Sequence, residues 1–168
     1  ASACGHICYE AFSSVAQSHN FPSDWRSPDD ATAAITAILS HPGFYGVVAE
    51  QDSGVVGSCF LDERSTVVGL GPITVNPTLQ ASSIGRRLIE HSLERVDQHG
   101  KDGVRLVQAA YNNQSLALYV KLGFEVREPL ANMQGMPIGQ QLPGYRVRPV
   151  PENEIDLCNE ICRRTHGY

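Results

Sequence analysis

The stretch with the clearest chemistry runs from Gly71 to Leu88, GPITVNPTLQASSIGRRL. Ile73 and Val75 are β-branched and read as a strand around Thr74. It stops at Asn76-Pro77, because the residue before a proline is pushed out of the helical region. Pro72 fits a strand only at an edge or a bulge. The run Gln80-Ala81-Ser82-Ser83-Ile84-Gly85 then opens a helix with Leu88, Ile89, Leu93 and Val96 at helical spacing. Successive N–H groups in such a turn, capped by a helix N-terminus, make a concavity that suits phosphate oxygens. Arg86 and Arg87 either add charge to that cradle or form a solvated helix face.

Other reactive side chains are scattered. Asp62 and Glu63 lie at a hairpin tip that feeds the Ile73 strand, and Glu50 is a third carboxylate by position. The six histidines show no paired arrangement, and His41 and His99 sit at helix ends. Cys4 and Cys8, and again Cys158 and Cys162, are four residues apart, so each pair shares one helix face. Two such pairs amount to a four-thiolate zinc site if their helices meet. The simpler reading is that free cysteine is a small buried hydrophobe, and no metal is expected.

The elements that hold these residues follow from periodicity. Residues 3–17 carry Cys4, Ile7, Cys8, Ala11, Phe12 and Val15 as a helical stripe, and a second helix runs from Pro28 or Asp29 to Leu39. Residues 44–50 and 55–61 form a hairpin, and 66–75 is the strand already described. A helix over 84–98 closes at His99-Gly100, glycine being a helix C-terminal residue. A strand at 104–110, a helix from Asn112 to Leu122 and a strand at 124–133 complete the series. Beyond a Gly-, Pro- and Gln-rich linker at 136–144, residues 145–150 read as a strand and 151–168 as a helix. DLCNEICRRTHGY in that helix aligns with SACGHICYEAFSS at the start of the chain.

Two motifs, taken together, resemble the GNAT superfamily of acyl-CoA-dependent N-acetyltransferases. Val75-Asn76-Pro77 followed by Gln80, Ser83, Ile84 and Gly85 is similar to that family's strand, V-x-P and Q/R-x-x-G-x-G/A segment, with Ser83 where the first glycine is usual. Asn112 to Phe124, with Leu118, Tyr119, Lys121 and Gly123, looks like the N-x-x-A-x-x-L-Y-x-K-x-G-F helix, with Ser115 in the alanine slot. A serine keeps the backbone amide, but it must avoid positive φ or accept strain.

The resemblance covers residues 3 to about 135 and implies an α/β fold. Its central sheet would be mixed, mostly antiparallel and twisted, with helices on both faces and strands splayed at the cofactor site. It implies acetyl-CoA (coenzyme A) as co-substrate and a small-molecule or peptide amine as acceptor. The Ile73–Val75 edge, residues 80–87, Asn112, Ser115 and Tyr119 would hold the coenzyme. The Val75 N–H would face the thioester oxygen, and Tyr119 would be the acid for the leaving thiolate. A tyrosine with a pKa of about 10 is protonated at neutral pH. The bland alternatives are a core tyrosine and a capping Asn112. Glu63 is the tentative base, and an acceptor amine with a pKa near 8 hardly needs one. The implied domains are 1–135, lacking its opening strand, and 145–168, which looks like the start of a second repeat. That tail either fills the vacant edge of the sheet or swaps between two copies in a homodimer.

Length and composition exclude other classes. At 168 residues the chain suffices for a one-domain core, and 42% apolar with 18% charged residues is ordinary for a globular protein. A net charge of −5 without basic clusters disfavours nucleic acid. No run approaches the ~20 apolar residues of a membrane helix. The cysteines suit a reduced, cytoplasmic setting. There is no G-x-x-x-x-G-K-[ST] for a nucleotide-binding loop. Enzyme and non-catalytic acyl-CoA-binding module are the two readings to separate.

Overall fold

The computed structural model describes residues 1–52, 54–79, 83–131, 133 and 135–166. It divides into two bodies, Ala1–Pro129 and Leu130–Tyr168, each described by itself.

In the first body the 3.6-residue stripe becomes helix α1 (Ser2–Ser18), which buries Cys4, Ile7, Cys8 and Ala11. Asn20, at φ 60°, follows the helix, and Phe21 N–H donates to the Ala16 carbonyl at 2.9 Å, a Schellman ending. Helix α2 (Pro28–Ser40) starts on Ser27, whose hydroxyl accepts the Asp30 N–H, with Pro28 at the first position and Asp29 and Asp30 against the positive helix end.

Strands β1 (Phe44–Gln51), β2 (Gly54–Asp62) and β3 (Val67–Val75) form an antiparallel meander, and β4 (Gly103–Arg105) joins β3 in parallel. The order is β1-β2-β3-β4, a mixed and mostly antiparallel sheet, as expected. Central β2 is buried on both faces, so its alternation sorts the two layers. Phe60 packs with Cys4, Cys8, Ala31 and Ile35 of α1 and α2. Its neighbours Cys59 and Leu61 pack with Leu88, Ile89 and Val96 of helix α3 (Ile84–Gln98) and with Tyr119 of helix α4 (Asn113–Lys121). Helices therefore cover both faces.

Cys4 and Cys8 behave as core hydrophobes: both are buried, and the Cys8 thiol is pushed up to about 11, chiefly by desolvation.

Three expected strands come out differently. The fourth is only Gly103–Arg105, not 104–110. The described part of 124–133 forms no strand: Phe124 packs on the core, but beyond it Val126 is 71% and Leu130 65% exposed. Residues 145–150 also form none, although Tyr145 and Val147 alternate with arginines. Alternation makes a strand only where a sheet edge receives it, and Val147 is 98% exposed. The expected helix is present as α5 (Ile155–His166).

Candidate active site at the open end of the sheet

The geometry of β3 makes the site. Opposite Phe60 the ladder slips, pairing Cys59 with Ile73 but Leu61 with Leu70, so Gly71-Pro72 bulges out. Gly71 takes φ 137°, which favours glycine. Beyond the bulge, Asn76 N–H donates to the Val56 carbonyl at 2.9 Å, in register with the Ser58–Thr74 pair. Successive residues of an antiparallel strand turn their backbone groups alternately toward and away from the partner. Asn76 and Thr74 face β2, so Val75 and Ile73 turn their N–H and C=O groups the other way. That is the side of β4, and the β3–β4 ladder ends at Gly69–Arg105. Ile73 and Val75 thus present main-chain groups to the gap where the parallel strands part.

The start of α3 closes on that gap. A side chain built on Gly85 would touch Val75 and Leu118 at 3.7 Å each, so α3 begins between the end of β3 and α4. The first intrahelical bond of α3 is from Arg87 N–H to the Ser83 carbonyl at 3.0 Å. The N–H groups of Ile84, Gly85 and Arg86 precede it and have no partner inside the helix. Gln80, Ala81 and Ser82, the other expected phosphate contacts, lie outside the described residues. Arg86 is paired with Glu90 at 3.1 Å, whereas Arg87 is exposed and makes no ion pair among the described residues.

Ser83 accepts the strain, at φ 69° and without a side-chain cap. Left-handed backbone costs a side-chain-bearing residue about 1–2 kcal/mol, partly offset by the greater freedom glycine has when unfolded. Ser83→Gly is therefore expected to stabilise the protein by about 1 kcal/mol in urea denaturation. A loss of stability would show that the serine side chain contributes something not evident here.

Helix α4 is held at both ends. Asn112 caps it, its Oδ1 accepting the Ser115 N–H at 3.1 Å, so the capping role is realised. At the other end Gly123, at φ 91°, allows Phe124 N–H to reach the Tyr119 carbonyl at 3.1 Å. The Phe124 ring then sits edge-on against Tyr119, centroids 5.9 Å apart. Tyr119 is 8% exposed in the core beside Cys59. Desolvation, with Cys59 adding to it, raises its pKa above the ordinary value, while a hydrogen bond with the Ser115 side chain pulls it down. The phenol stays protonated at neutral pH, as a proton donor must.

Glu63 is not placed as a base. Its carboxylate receives Arg95 Nε at 2.7 Å and a terminal nitrogen at 2.9 Å, and its side chain is 19% exposed. The Arg95 guanidinium lies 3.9 Å over the Tyr45 ring, and Tyr45 shares a 2.9 Å hydrogen bond with His91. That pairing holds the Glu63 pKa below its ordinary 4.5. A carboxylate with both oxygens occupied and its acidity raised is a poor proton acceptor. Asp62 is likewise bound by Arg64 at 2.6 Å, and Glu50 is exposed.

The pair contributes stability in full above the unfolded pKa of Glu63. That contribution fades as pH falls through the lower folded value. Glu63→Gln is accordingly expected to cost about 1–2 kcal/mol at pH 7 and progressively less below pH ~4.5. Equal costs at pH 7 and pH 3 in chemical denaturation would contradict the assignment.

Sequence reasoning missed several residues nearby. The Phe21 ring stacks on Tyr111, centroids 4.4 Å apart, joining the loop after α1 to the turn before α4. An open groove of about 630 Å³ runs between α1, with Glu10, Ser14 and Gln17, and the Asn76–Thr78 turn. Past β4, the Gln108 side-chain oxygen is buried with no hydrogen-bond partner among the described residues. None carries a local sequence signal, since each is defined by a residue distant in the chain.

The fold is that of known N-acetyltransferases. The ribosomal-protein-S18-alanine N-acetyltransferase from Escherichia coli superposes with a TM-score of 0.59 at 24% identity, over 76% of this chain and 72% of that one. AAC(6')-Iy, solved in complex with the bisubstrate analogue CoA-S-monomethyl-acetylneamine, gives 0.56 at 20% identity over 68% and 84%. The chain belongs to the acetyltransferase (GNAT) family, whose profile matches residues 9–124. It is 33% identical over 94 residues to an IAA acetyltransferase of Azospirillum brasilense, which covers 54% of this chain. The chain spans about 61% of the length of that relative. Among the described residues no helix is long and apolar enough to cross a membrane.

Proposed function

We propose that the protein transfers an acetyl group from acetyl-CoA to a primary amine by direct attack within a ternary complex. The observation that carries this reading is the pair of outward-facing backbone groups at Ile73 and Val75, open where the β3–β4 ladder ends. An amide-bearing pantetheine arm pairs with such an edge as a strand does. The start of α3 supplies N–H donors and a positive helix end for the pyrophosphate, with Arg87 exposed beside it. The kinship with a coenzyme A-binding fold is consistent with that use of the edge.

When the amine attacks, the thioester carbonyl oxygen gains negative charge, and a fixed backbone N–H such as that of Val75 stabilises it. Collapse breaks the carbon–sulfur bond, and the thiolate takes a proton from Tyr119. The amine nitrogen gives up its own proton to solvent, which an α-amine manages without a dedicated carboxylate, and solvent returns a proton to the Tyr119 phenolate. The open groove beside the Asn76 turn, with Glu10, is the natural approach for a cationic acceptor. Five free cysteines fit a reducing, cytoplasmic setting.

A second reading, a non-catalytic acyl-CoA-binding module, is favoured by one observation: Tyr119 is packed inside the core. Thermal melting with acetyl-CoA, free coenzyme A and longer acyl-CoAs, followed by an amine panel, tests both. A ligand at ~100 times its Kd stabilises the native state by about 2.7 kcal/mol. No shift with any of these ligands defeats both readings. A shift without turnover of any amine leaves the module.

A further inference from the structure

Gln108 is three residues past the end of the short β4 ladder, on the segment that diverges from β3. Val104 and Leu106, its predecessors at two-residue spacing, both pack against the core that holds Tyr119. Its side-chain oxygen is buried yet accepts no hydrogen bond among the described residues. Such an atom is expensive to keep. A buried carbonyl without a donor costs about 1–3 kcal/mol, and an apolar side chain of similar shape removes the cost. Other buried atoms of this kind, Trp25 Nε1 and Thr32 Oγ1, are on the α1–α2 side, away from the open β3 edge.

We infer that Gln108 is a ligand-binding residue, its Oε1 accepting an N–H from a molecule held between the parting strands. The inference rests on the acetyl-transfer reading above. Two N–H sources meet there in that reading, the amide groups of the pantetheine arm and the nitrogen of the acceptor. Both offer the donor that the carbonyl lacks. The residue is then a stability sacrifice made for binding, with opposite signs in the free and the liganded protein.

Gln108→Met tests this, because methionine keeps the length and unbranched shape but has no carbonyl. Wild-type protein is first titrated with coenzyme A. No uptake there overturns the acetyl-transfer reading itself, and this inference with it. Given uptake, the variant is expected to melt at or above the wild-type temperature without ligand. It should bind coenzyme A about tenfold more weakly, the worth of one well-placed hydrogen bond. Its affinity for adenosine 3′,5′-bisphosphate, which has no pantetheine, should be unchanged. If coenzyme A affinity is also unchanged while KM for a turned-over amine rises about tenfold, the acceptor supplies the N–H. Unchanged coenzyme A affinity together with an unchanged KM for the amine, or a lower melting temperature in the free variant, overturns the inference.

Discussion

Replacing Tyr119 by phenylalanine is expected to lower kcat about 10²–10⁴-fold while leaving coenzyme A affinity within about twofold. The ring and its packing against Phe124 and Cys59 survive the change, and only the hydroxyl is lost. Stability should move by no more than about 1 kcal/mol, so folding does not confuse the result. The pH dependence adds a second check. Because burial holds the phenol above its usual pKa of 10.0, its protonated form persists throughout the neutral range. Activity limited by this acid should fall only on the far alkaline side. Steady-state kinetics with retained kcat would make Tyr119 a core residue and favour the binding module.

The largest stability effect is expected at Gly5, on the opposite face of the sheet. A methyl group there would come within 2.3 Å of Thr32 Oγ1 and 2.5 Å of Thr32 Cα, so α1 and α2 could not keep their approach. Alanine is favoured over glycine in a helix by about 1 kcal/mol, yet overpacking costs typically 1–3 kcal/mol and more when backbone must move. With a backbone atom in the way, Gly5→Ala should cost about 2–3 kcal/mol net, lowering Tm by roughly 5–10 °C for a chain of this size. Gly85→Ala is the contrast, since its new methyl would meet only side-chain atoms at 3.7 Å. Calorimetry should find that variant close to wild type. Equal losses at both glycines would refute the contact analysis.

Helices were legible because their bonds close locally. The stripe of α1, the Ser27-Pro28 start of α2 and the Gly100 and Gly123 endings place those helices to within about a residue or two. The end of β3 and the start of α3 were legible for a related reason, since Val75-Asn76-Pro77 and Gly85 shape the backbone within their own segment. What failed needed a partner. Residues 124–133 and 145–150 have strand-like composition, but a strand exists only against an edge that the sequence does not announce. Glu63 looked like a free carboxylate until Arg95, 32 residues away, took both its oxygens.

By itself, then, the sequence determined the helices, the hairpin and the family motifs, all of which depend on neighbours within a few residues. The tertiary structure alone decided where β4 parts from β3, which carboxylate is neutralised, how closely Gly5 meets Thr32, and that the Gln108 oxygen is buried without a donor among the described residues. Each of these is set by contact between segments far apart in the chain, where burial and distance fix the energy and residue type does not reveal it.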